Sequence, residues 1–154
     1  MSTDRERLIE RLGAAVSAYQ DSTDAFDDAA ARLLEVNRTD LRCLGLLIQE
    51  IGPTTPGVLA ARLGLTAGSV TTMLDRLERM DFVTRTRDPD DRRKVVISPT
   101  ERIVARSWEI YGPLVSDGQE SLARYSDAEL AVIVDFLSSS RQLQEAHRSR
   151  VLRS

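Results

Sequence analysis

Three observations predict a mainly α-helical chain with a small β-hairpin. Apolar residues recur at helical spacing along both ends of the 154-residue sequence, two capped helices stand back to back in the middle, and an arginine-rich segment with period-two patterning follows them. A chain of this length can bury one core without staples, so a single domain over residues 1–154 is expected.

The elements follow in order. Over residues 3–34, Leu8, Leu12, Val16, Tyr19, Phe26, Ala30 and Leu33 mark one face of a long amphipathic helix, which the polar stretch at 20–24 is expected to loosen. Asn37 is a good cap for a second helix, with Asp40 opposing its dipole, running through Leu41, Leu44, Leu47 and Ile48 to a stop at Gly52 and Pro53. Thr55 and Pro56 open a third helix over 56–63 that Gly64 ends, and Thr66 caps a fourth over 67–80. After Asp81 the pattern becomes β. Strands at 83–87 and 93–97 bracket a turn of Asp88, Pro89, Asp90 and Asp91. Asp91 and Arg93, two apart, are expected on one strand face, where the carboxylate either fixes the guanidinium or forms an ordinary surface pair. Thr100 caps a long helix through Ile103, Val104, Trp108 and Tyr111, in which Gly112 and Pro113 predict a kink. Ser126 and Glu129 form a capping box for the last helix, through Leu130, Ile133, Val134, Leu137 and Leu143.

Helices at 56–63 and 67–80 joined by a glycine turn make a helix-turn-helix, and the following hairpin makes it a winged one. The expected division is a winged helix-turn-helix at 37–100 flanked by dimerisation helices at 1–36 and 101–154. On the fourth helix Val70, Met73, Leu74, Leu77 and Met80 share the buried face. The outward face offers Gly68, Ser69, Thr71, Thr72, Arg76 and Arg79 to a major groove. The hairpin offers Arg85, Arg87, Arg92, Arg93 and Lys94 to the neighbouring backbone or minor groove. A solvated helix face with an Asp75–Arg79 pair accounts for the same helix residues without DNA.

The net charge of −3 conceals an uneven distribution. Residues 1–36 hold eight acidic and four basic side chains, whereas 55–99 hold eight basic and six acidic, three of those acids in the hairpin turn. Among 21 basic residues only Lys94 is lysine, which suits phosphate and guanine recognition but also follows from genomic base composition alone. One cysteine and one histidine, Cys43 and His147, exclude a disulfide within the chain and a Cys- or His-based metal site. No cofactor is implied, and no nucleophilic triad, phosphate loop or paired carboxylates suggest an enzyme. Apolar runs are far shorter than the ~20 residues that span a bilayer, so a cytoplasmic protein without membrane contact is expected.

The chain resembles the MarR family of winged-helix regulators. The resemblance covers essentially its whole length and is most specific at LDRLERMDFV (74–83), DPDDRR (88–93) and Ser98-Pro99-Thr100. The family's wing pattern, Asp-x-Arg followed five residues later by Leu-Thr, matches Asp91, Arg93 and Thr100, with Pro99 in place of leucine. By that match Arg93 contacts the minor groove and Asp91 orients it. Asp81 and Ile103 stand where the family often has glycine. The resemblance implies a homodimer on pseudo-palindromic double-stranded DNA, commonly a repressor, released by small aromatic or anionic effectors. Tyr19, Phe26, Arg42, Trp108 and Tyr111 are candidate pocket residues, with core or dimer-interface roles as the alternative. Two rival readings remain: redox control through Cys43, although its neighbours Leu44, Leu46 and Leu47 suggest an inert thiol, and a helical dimer that binds only protein.

Overall fold

Side-chain caps define where each helix starts. Residues 3–49 and 54–153 are described by the computed structural model. Thr3 accepts the amide of Glu6 at 3.2 Å while the Glu6 carboxylate accepts that of Thr3 at 2.6 Å, a capping box that opens α1 (Asp4–Leu33). α1 runs unbroken through the polar stretch expected to loosen it. Those side chains face solvent, and the Thr23 hydroxyl donates to the carbonyl of Tyr19. Asn37 accepts the amide of Asp40 at 2.8 Å to start α2 (Arg38–Gln49). The expected stop at Gly52 and Pro53 lies outside the described residues.

α3 (Pro56–Leu63) begins at its Thr55 cap and ends at Gly64, whose φ of 67° is the left-handed geometry that favours glycine. α4 (Ala67–Arg79) follows from Thr66. β1 (Val83–Arg87) and β2 (Val95–Pro99) pair antiparallel from Val83 opposite Pro99 to Arg87 opposite Val95. β2 thus starts two residues later than the expected 93–97. The turn claims those residues: the Lys94 amide donates to the Asp91 carbonyl at 2.8 Å, and the Asp88 amide to the Lys94 carbonyl at 3.0 Å. Thr54 adds a single bridge outside β2, its carbonyl accepting the Ile97 amide.

Thr100 joins the hairpin to α5 (Glu101–Leu122). Its hydroxyl donates to the Asp81 carbonyl at 2.8 Å and accepts the Ile103 amide at 3.3 Å. α5 is one helix through Gly112 and Pro113. The Ser126–Glu129 capping box opens α6 (Asp127–Val151) as expected. The chain forms two compact units, Met1–Ile110 and Tyr111–Ser154. Among the described residues no single helix is long and apolar enough to cross a membrane.

The core of the first unit gathers one face from each short element. Leu44 and Leu47 of α2, Leu59 and Leu63 of α3, and Val70, Met73, Leu74 and Leu77 of α4 meet Phe82, Val83, Ile97 and Ile103. Ile103, at a position where the resembled family often has glycine, is fully buried and fills this core. In the second unit α6 buries none of its residues, and Val132, Val134, Leu137 and Leu143 face outward.

Two helices end on non-glycine residues in the left-handed region, Glu35 after α1 and Asp81 after α4, with φ of 57° and 58°. Each closes its helix with the same pair of bonds. Val36 donates to Ala31 and Glu35 to Arg32; Phe82 donates to Leu77 and Asp81 to Glu78. The left-handed conformation costs an L-residue about 1–2 kcal/mol, and glycine avoids that cost. Glu35→Gly is therefore expected to raise stability by about 0.5–1 kcal/mol after allowance for glycine's freer unfolded chain. Urea unfolding followed by circular dichroism measures it, and a lower midpoint would contradict the strain.

Candidate nucleic-acid interface

α4 is held in place by ion pairs on both flanks. Asp40 lies at the start of α2's buried stripe with Cys43, Leu44 and Leu47, and its side chain is 1% exposed. A carboxylate so deprived of water needs a charged partner. Arg76 of α4 supplies it in a two-pronged contact, Nε to Oδ2 at 2.7 Å and Nη2 to Oδ1 at 2.5 Å. The pairing keeps the Arg76 guanidinium above its ordinary pKa range, chiefly through these hydrogen bonds to Asp40. Arg76, a candidate DNA contact, thus has Nε and Nη2 engaged by Asp40, while 39% of its side chain remains exposed.

Arg85 makes the second fastening, from β1. Its guanidinium meets Asp75 at 2.7 Å and Glu78 at 2.6 Å, and Nη2 also donates to the Thr71 carbonyl at 3.4 Å. The Asp75 carboxylate is thereby engaged with Arg85, while Arg79 donates from Nε to the backbone carbonyl of Asp75 at 3.0 Å. The side-chain Asp75–Arg79 pair considered from sequence is replaced by this arrangement. The consequence is electrostatic: both acids on the outward half of α4 are engaged by one wing arginine, which offsets one of their two charges.

The first two turns of α4 present an uncharged face. Gly68, Ser69, Thr71 and Thr72 are exposed. Thr71 donates its hydroxyl to the Ala67 carbonyl at 3.0 Å and Thr72 to the Gly68 carbonyl at 3.1 Å, while Ser69 pairs with Thr66 at 2.9 Å. Beside this face stands the wing. Asp88 Oδ1 accepts the amides of Asp90 at 2.8 Å and Asp91 at 2.9 Å, and Arg87 donates to the Arg92 carbonyl at 3.1 Å. Asp91 accepts the backbone amide of Arg93 at 3.2 Å and lies 3.7 Å from Lys94 Nζ. It therefore shapes the turn at Arg93 rather than gripping the guanidinium from a strand face. Arg92 and Arg93 are exposed, and no partner for either guanidinium is found among the described residues.

Other arginines fasten helix ends. Arg38 ties the start of α2 to α1 through Asp28 at 2.8 Å and Asp24 at 2.7 Å. Arg102 of α5 donates to the Met80 carbonyl at 3.2 Å and lies over the Phe82 ring at 5.6 Å. With Arg79 and Arg106 it borders a cleft of about 410 Å³ that is also lined by Leu33, Leu34, Glu35, Met80 and Phe82. None of the five pocket candidates lines this cleft. Tyr19 and Trp108 are 71% and 68% exposed, Phe26 and Tyr111 are half-buried, and Arg42 donates weakly to the Arg62 carbonyl at 3.5 Å.

Cys43 is completely buried, and its thiol pKa is pushed up to about 12 by loss of water and then by the nearby Asp40 charge. At neutral pH on the order of one such thiol in 100,000 is ionised. This is the environment of an inert core cysteine.

The winged-helix geometry agrees with the comparisons. The MarR family model matches residues 36–95. The chain is 36% identical over 129 residues to the uncharacterized HTH-type transcriptional regulator YcgE of Bacillus subtilis, covering 84% of this chain and 83% of that protein. Among solved structures, RV1404 from Mycobacterium tuberculosis superposes with a TM-score of 0.68 at 20% identity, over 92% of this chain and 97% of that one. A MepR variant of S. aureus, solved bound to an oligodeoxyribonucleotide, gives a TM-score of 0.56 at 20% identity, over 88% and 97% of the two chains. The fold is that of a winged helix-turn-helix protein. The chain belongs to the MarR family of DNA-binding transcriptional regulators.

The wing turn titrates with acid. Hydrogen bonds from the Asp91 and Asp90 amides hold the Asp88 carboxyl below its ordinary value of 3.8. Its contribution is fully present above the unfolded value and is lost as pH falls through the lower folded one. The amide resonances of Asp90 and Asp91 are expected to titrate together with a midpoint below pH 3.8. A midpoint at or above that value would show that the turn is not built on this carboxylate.

Proposed function

We propose that this regulator acts as a homodimer on a pseudo-palindromic operator, with α4 in the major groove and the wing tip on the adjacent backbone or minor groove. One observation carries the reading: an uncharged, small-residue helix end stands beside a turn whose Arg92, Arg93 and Lys94 are exposed. The helix end can approach base edges closely, and the cations can meet phosphate or a narrow groove. Arg87 and Arg79 are assigned to the backbone. Arg76 and Arg85 are assigned to holding α4, since their donors already have carboxylate partners. The DNA-bound MepR relative supports the placement by analogy of fold.

The homodimer is supported by apolar side chains that each unit leaves in water: Leu8, Ile9 and Leu12 of α1 in the first, and Leu114, Val115, Leu137 and Leu143 in the second. A second copy of the chain would cover them and place two α4 helices about one DNA turn apart. Repression by blocking a promoter is the role we assign. For an effector, the cleft sets Arg79, Arg102 and Arg106 beside Leu34, Met80 and Phe82, a combination suited to an aromatic or anionic molecule. Burial of Cys43 argues against the redox alternative, and the exposed wing cations argue against a purely protein-binding module.

Selection of bound genomic fragments followed by fluorescence anisotropy tests the DNA reading. Arg93→Ala is expected to weaken the selected operator by about 1–3 kcal/mol if it reads a base edge or narrow groove, and loss of one phosphate contact would lower the salt slope by about 1. Unchanged affinity and slope would remove the wing tip from the interface. In equilibrium sedimentation the protein is expected at twice its 17.1 kDa chain mass, and Leu137→Asp is expected to shift it toward monomer. A wild-type monomer at micromolar concentration would refute the dimer.

A further inference from the structure

The first two turns of α4, residues 67–74, contain no arginine, lysine, asparagine or glutamine, the side chains that make two-pronged contacts to guanine or adenine. The next charged positions, Asp75 and Arg76, are engaged with Arg85 and Asp40. The hydroxyls of Thr71 and Thr72 donate to carbonyls of their own helix, so neither has a proton left for a base acceptor, and both side chains are exposed. Gly68 adds a separate observation. It is exposed, its φ is not positive, and a Cβ built there would meet nothing within 4 Å. Glycine in a helix costs about 0.5–1 kcal/mol relative to alanine; the helical Gly13, Gly45 and Gly118 are equally open, and Gly68 differs from them in standing on the exposed face of α4 beside Thr71 and Thr72. A bare position on an exposed helix turn is what close approach of another backbone or base edge requires.

Resting on the reading that α4 enters the major groove, we propose that this helix specifies its operator by methyl contact: Thr71 and Thr72 recognise thymine 5-methyl groups, and Gly68 is left without a side chain so that the helix can come close enough. The ligand chemistry is a thymine edge in double-stranded DNA. Sequence discrimination by the helix then comes from apolar contact with that methyl, without the two-pronged contacts that read guanine or adenine.

The test uses the full-length protein and an operator obtained by in vitro selection. Each thymine of a half-site is replaced in turn by deoxyuridine, which deletes only the methyl. At contacted positions affinity is expected to fall about fourfold, the worth of one buried methyl. Thr71→Ser and Thr72→Ser should each abolish the thymine–uracil difference at one position, whereas Thr72→Val, which keeps a methyl, should preserve it. Gly68→Ala is expected to raise the thermal midpoint and lower operator affinity at least about tenfold, a combination that loss of folding cannot produce. Equal binding of thymine and uracil operators, or full affinity in a stabilised Gly68→Ala, overturns the methyl assignment while leaving DNA binding by α4 intact. Failure to select any sequence overturns the underlying reading as well.

Discussion

The buried carboxylate of Asp40 is the constraint around which the winged helix-turn-helix is arranged. A buried charge in the first turn of α2 is tolerated only because Arg76 meets both of its oxygens, and Arg76 comes from α4. The pair fixes where α4 lies against α2. From that point the other fastenings follow: Arg85 sets the hairpin against α4 through Asp75 and Glu78, and Arg38 sets α2 against α1 through Asp24 and Asp28. Each of these side chains is spent on a neighbour of opposite sign.

That expenditure explains how a chain of net charge −3 can serve DNA. Around α4, Asp40 is paired with Arg76, and Asp75 and Glu78 share Arg85, while Arg92 and Arg93 stand exposed at the wing tip without a guanidinium partner among the described residues. Interactions beyond a Debye length of roughly 10 Å are screened at ordinary salt, so the acidic N-terminal helix matters less than the local field of the wing. In the proposed arrangement the wing contributes affinity that falls with salt, while the uncharged end of α4 contributes discrimination that does not.

Much of the architecture was legible in local chemistry. Asn37, Thr55, Thr66, Thr100 and Ser126 begin helices where their hydroxyl or amide oxygens take up free amides, and Gly64 ends α3 in the left-handed region. The hairpin was legible as well, but its register was not, because Asp91 and Lys94 close the turn with a backbone bond and delay β2 by two residues. The Asp40–Arg76 pairing was not legible for a related reason. Arg76 is 36 residues from its partner, and no periodicity reports a pair so distant. One local clue existed: Asp40 falls on the same stripe as Leu44 and Leu47, where a carboxylate demands a partner, yet it was read only against the helix dipole. The cleft between the ends of α1 and α4 and the start of α5 had no sequence signature, since it arises from where helices stop.

The most direct test of this account is the operator affinity of the double variant Asp40→Leu/Arg76→Met, measured by anisotropy across a range of salt. Replacing a buried ion pair with apolar residues of similar size is often neutral or stabilising, so the variant is expected to fold. If Arg76 places α4 without touching DNA, the salt slope should match the wild type even where affinity falls. A folded double variant with uniformly weaker binding and a slope shallower by about 1 would assign Arg76 to a phosphate and contradict the account.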